Sequence, residues 1–155
     1  MQDKSKKVCL SAAEIEKLSS HYLNDGRKQE SWKIEQVEIS GDLLNATLSM
    51  SSTYVSDTDE HGFHLTIFST LEFLSQLMII YGHNWAGLDE KTREGWMVES
   101  HTKTVRAIRN PNAIYVEMKV QKMRKRGENL YCSADFRVTD EQGGLFEVKL
   151  KGFLS

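Results

Sequence analysis

The 155-residue chain has one proline and two cysteines. Cys9, near the start, and Cys132, in a strand-like pattern, make neither a disulfide framework nor a metal-ligand spacing. Long apolar runs are also missing, and the stretch 77–81 is far too short to span a bilayer. The early lysines in Met-Gln-Asp-Lys-Ser-Lys-Lys are followed by no long apolar segment and no small-residue cleavage site. No signal peptide is therefore expected, and the cytoplasm is the expected compartment. An excess of one charge is lacking too: 20 basic against 22 acidic residues give a net charge of −2. That balance offers no global basic field for nucleic acid. There is no internal repeat, no Gly-x-Ser-x-Gly elbow and no glycine-rich phosphate loop.

What the chain does have is 39% hydrophobic residues, enough for one domain with a real core over 1–155, with 1–10 as a polar lead-in. Residues 61–88 read as one long helix, apolar on most of its circumference and so in need of enclosure. Ser69, Glu72 and Gln76 draw a polar line along it. Before it, Ser11 and Glu14 make a capping box that opens a short helix with Ile15, Leu18 and Tyr22 on one face. Segments 32–40 and 43–51 read as a hairpin around Gly41-Asp42. After the long helix come strand patterns over 95–109, then from Ile114, from Leu130 and from Phe146. The first of these is polar on both sides, with Ser100, Thr102 and Thr104 against Glu99, His101 and Lys103. It should lie where a face or an edge is wet. The order predicts an α+β domain of hot-dog type, an antiparallel sheet wrapped around one long central helix.

A carboxylate buried in that helix costs several kcal/mol unless paired or used. Glu72 therefore reads as a general base or nucleophile, with Gln76 orienting water or a carbonyl, unless Glu72 escapes to solvent or pairs at a subunit interface. His61 and His64 lie at the helix start, where amide N–H groups can polarise a thioester carbonyl. For His61 a capping role is favoured. Asp57, Asp59 and Glu60 match no metal motif and read as a solvated loop. The cluster Lys119, Lys122, Arg124, Lys125 and Arg126 is either a solvated turn or a contact for the phosphates of coenzyme A or the acidic face of an acyl carrier protein.

Over 64–77 the sequence His-Leu-Thr-Ile-Phe-Ser-Thr-Leu-Glu-Phe-Leu-Ser-Gln-Leu resembles the helix segment of the FcoT-like fatty acyl thioesterases, a hot-dog family in which a histidine opens the helix and a Gln-Leu pair follows at the same distance. The resemblance extends loosely to Tyr22, Tyr54, Gly95-Trp96 and the turn Asp140-Glu-Gln-Gly-Gly. Thr66 and Ser75 stand where the family has asparagines. Leu71-Glu72-Phe-Leu-Ser-Gln76 is also similar to the helix of FabZ-type hydroxyacyl dehydratases, but the Pro/Gly-rich segment that precedes it there is missing. The resemblance implies hydrolysis of an acyl thioester of coenzyme A or a carrier protein, with dehydration or non-catalytic acyl binding as alternatives. Glu72, His64 and Tyr54 are the expected catalytic residues, and Tyr22, Thr66, Ser75 and Gln76 the expected substrate contacts. No metal or redox cofactor is implied, and a dimer or higher homo-oligomer is.

Overall fold

The computed structural model describes residues 7–19, 29–55 and 57–155. Alternation of apolar and polar residues with period 2 produces each strand and decides which side faces the core. Strands β1 (Ser31–Ser40) and β2 (Leu43–Ser52) form the expected hairpin, closed at Gly41, whose φ of 60° suits glycine. Strands β4 (Ile114–Arg126), β5 (Asn129–Thr139) and β6 (Leu145–Leu154) follow one another as an antiparallel meander. Strand β3 (Gly95–Arg106) pairs with β6, giving one sheet of six antiparallel strands in the order β1-β2-β4-β5-β6-β3. All twelve residues of β3 are exposed, as its two polar faces predict.

Helix α2 (Ile67–Trp85) lies across the inner face of this sheet. Phe73, Leu74 and Leu77 are fully buried against Leu44 and Leu48 of β2, Met118 of β4 and Phe136 of β5. Burying a side chain of this size contributes about 1.5–3 kcal/mol, so this one contact layer anchors the helix. The helix begins later than the apolar pattern predicts. Thr66 has extended backbone angles (φ −86°, ψ 156°) and caps the first turn by accepting from the Ser69 N–H at 3.2 Å. Gly62, with φ 77°, turns the chain just upstream. Phe63 and Leu65 are buried all the same, so apolar residues continue through a segment that is not helical. The short helix α1 (Ala12–Leu18) carries the predicted capping box, with Ile15 and Leu18 both exposed.

The outer face of the sheet carries a checkerboard of charge. Lys103, Glu147, Arg137 and Glu117 stand in one cross-strand row. His101, Lys149, Asp135 and Lys119 stand in the adjacent row.

Candidate functional site

The loop into α2 builds a polar site from side chains far apart in sequence. His64 Nδ1 lies 2.6 Å from Asp59 Oδ2, and the other Asp59 oxygen accepts from the His61 N–H at 3.1 Å. The bond from His64, then the His61 N–H, hold the Asp59 pKa below its ordinary value, and the nearby Arg109 charge adds to this. A carboxylate there favours the Nδ1–H tautomer of His64, which leaves Nε2 as the acceptor nitrogen. Arg109 itself is anchored twice. Its guanidinium reaches the Phe63 carbonyl, and its backbone N–H donates to Asp140 at 2.9 Å. A pocket of about 350 Å³ opens at this end of α2, lined by His64, Thr66, Ile67 and Phe68 on one side and by Thr104 and Arg106 of β3 on the other.

Behind the first turn sits a residue that the sequence pattern did not mark. Glu30, just before β1, is 5% exposed and accepts from the Thr66 hydroxyl at 2.9 Å and the Ser69 hydroxyl at 2.8 Å. An anion at a helix N-terminus is favoured by the helix dipole and the first-turn amides. Thr66 and Ser69 are thereby engaged in holding the start of α2, with Thr66 also facing the pocket.

The predicted polar line of α2 divides. Ser69 is buried, whereas Glu72 and Gln76 are exposed on the face that the sheet does not cover. Among the described residues the sheet reaches only partway around the helix and does not enclose Glu72. Glu72 accepts from the Trp32 indole N–H at 2.8 Å, which ties it to edge strand β1, and Trp32 also packs edge-on against Phe73. Ser75 donates its hydroxyl hydrogen to the Leu71 carbonyl one turn earlier, leaving its oxygen only as an acceptor. Tyr54 is half-buried in the loop after β2 and lines neither pocket described here. Tyr22 lies outside the described residues. Among the described residues no three potential ligands converge as a metal ion would require.

A second pocket, of about 140 Å³, opens between the other end of α2 and the beginning of β3. Its wall is formed largely by Met78, Ile79, Met123, Leu130, Cys132 and Leu154. Burial pushes the Cys132 thiol up to about 12, so it stays protonated and behaves as part of that apolar wall. The basic hairpin between β4 and β5 belongs to this end, since Met123 and Leu130 flank its tip. Lys119 leaves the predicted cluster, facing Asp42 at 2.8 Å, and Arg126 sits over the Tyr131 ring.

No family model matches the chain, and no curated protein sequence does. Solved structures do. A thioesterase from Haemophilus influenzae superposes with a TM-score of 0.51 at 12% identity, covering 96% of this chain and 93% of that one. A thioesterase from Staphylococcus aureus gives 0.53 at 10% identity over 80% and 93% of the two chains. A thioesterase from Pseudomonas aeruginosa gives 0.53 at 12% over 79% and 80%. At such identities the likeness establishes the fold. The chain is an α+β protein of the hot-dog class, and the thioesterase-like structures it matches share that sheet and central helix.

Proposed function

We propose that the chain is a thioesterase that hydrolyses fatty acyl thioesters of coenzyme A or an acyl carrier protein to the free acid, as the resemblance to the FcoT-like family implies. The observation that carries this reading is the His64–Asp59 pair at the pocket over the first turn of α2. His64 Nε2 takes a proton from water as the water attacks the thioester carbonyl carbon. The developing oxyanion lies over the open first turn of α2, where Ile67 contributes an amide without a partner inside the helix. Collapse of the tetrahedral intermediate breaks the carbon–sulfur bond, and His64 returns its proton to the thiolate. Asp59 holds the imidazole in the required tautomer throughout. Arg106, which lines the same pocket, would meet the phosphates of the carrier.

Glu72 is the competing base, and it belongs to a different face of the helix. Two variants separate them, with released thiol as the readout over a panel of acyl thioesters. His64→Gln should lower kcat by about 100-fold or more, with folding retained and Glu72→Gln much less affected. The opposite ranking would move the base to Glu72. Enoyl absorbance without thiol release would replace hydrolysis by dehydration, and acyl binding with neither product would leave a binding module.

A further inference from the structure

The outer face of the sheet changes character at the end where the hairpin between β4 and β5 turns. The row through Trp96, Phe153, Tyr131 and Arg124 crosses four strands and holds three aromatic rings and one cation. Tyr131 and Phe153 pack on each other with ring centroids 5.2 Å apart, and the Arg126 guanidinium lies 5.1 Å from the centre of the Tyr131 ring. Trp96 extends the row to the sheet edge and is 63% exposed. Its indole N–H donates to the Ser155 hydroxyl at 2.9 Å, so what it shows to solvent is carbon. Met97 and Val98, the next two residues, are exposed as well.

Cations flank this apolar strip. Lys122, Arg124 and Arg126 alternate along β4 and therefore share its outer side. Among the described residues none of the three forms an ion pair. Glu94 and Glu99, at the start of β3, are engaged by Lys91 and by Lys151 at 3.4 Å. Segment 122–131 carries four cations and one acid in a chain whose net charge is −2, so positive charge is gathered here.

We propose that this end of the outer face docks on an anionic lipid bilayer. The rings enter the headgroup boundary, where a side chain with an apolar body is favoured. The Lys and Arg stems lie along that boundary with their charges among the anionic headgroups. Stacked nucleic-acid bases would be served less well, because the Tyr131 and Phe153 rings are tilted by 58° and Arg126 covers the first of them. A second copy pairing along the β3 edge would lengthen the sheet and leave this face open. None of these side chains lines the pocket at His64, so docking and hydrolysis are separable.

Sedimentation of the full chain with vesicles tests the docking. At low salt the protein should pellet with phosphatidylcholine vesicles that contain about a third phosphatidylglycerol, and not with phosphatidylcholine alone. Tryptophan emission should shift to the blue on binding, and Trp96→Ser should remove the shift and weaken binding severalfold. Lys122→Glu with Arg124→Glu should weaken binding about tenfold or more, since each cation near an anionic surface adds to the attraction. Lys7→Glu with Lys17→Glu, the same charge change on and before α1, should leave it within about twofold. Added salt should release the wild type, a readout that needs no variant to fold. Equal loss in the two pairs would reduce binding to net charge and overturn the patch, as would equal binding to neutral vesicles or none to either. A single-stranded oligonucleotide or an acidic carrier protein held by Lys122 and Arg124 in place of vesicles would overturn the bilayer as the partner.

Discussion

Asp140 lies beneath the turn between β5 and β6 and accepts from four backbone N–H groups, those of Arg109, Asn110, Gln142 and Gly144. Burial works against its charge, but those four donors outweigh it and hold its pKa below the ordinary 3.8. The sign follows: the carboxylate contributes stability that is fully present above pH 3.8 and is lost as pH falls through the lower folded value. Asp140→Asn should cost about 2 kcal/mol at pH 7, the worth of hydrogen bonds to a charged group. The gap from wild type should narrow in urea melts taken near pH 3; equal stability at pH 7 would remove the role. The same residue reaches the site, because the Arg109 it anchors touches Asp59, which holds His64. This chain of contacts was only half legible beforehand. His64 stood out by position, but Asp59 looked like one of several loop acids, since its pairing depends on the turn at Gly62. Glu30 had no periodic signal at all, since a residue just ahead of a strand gains its meaning from the helix end it meets.

Strands and their inward rows were readable because alternation fixes a face directly, and β3 was readable as a wet edge from its polar residues on both sides. The start of α2 was not, because Phe63 and Leu65 are buried through an irregular segment whose apolar content mimics a helical continuation. The basic hairpin also changes meaning once β4 and β5 are placed. Its tip flanks the apolar pocket, while Arg106 lines the polar one. Reversing Arg124 and Lys125 to glutamate should therefore leave KM for an acyl-CoA near the wild-type value. Arg106→Glu should raise it severalfold at low salt, and the rise should shrink as salt screens charges beyond about 8 Å. A raised KM in the hairpin variant alone would return carrier recognition to the hairpin.

At the scale of the whole molecule, the described residues leave one side of α2 and the β3 edge of the sheet bare. Phe68 and Ile80 on the helix, and Trp96, Val98 and Val105 on β3, are exposed apolar side chains. Apolar exposure of this kind, next to an unpaired edge strand, calls for a cover. A second copy of the chain is the cover we expect, and it would also enclose Glu72 and Gln76. Light scattering at micromolar concentration should then report a dimer or larger, with activity falling on dilution, and a fully active monomer across that range would defeat the expectation. The charge checkerboard on the outside of the sheet acts on a different hazard, mispairing. A one-residue slip between strands turns the core residues outward and is strongly disfavoured. A two-residue slip keeps every side chain on its proper face, so burial alone does not prevent it. Here it brings like against like: shifting β6 along β5 sets Asp135 opposite Glu147 in one direction and Arg137 opposite Lys149 in the other. Shifting β4 along β5 does the same with Glu117 and Asp135, or with Lys119 and Arg137. Like charges directly opposite are destabilising. The solvent face, which holds nothing together by burial, thus works as the proofreader of the strand pairing beneath it.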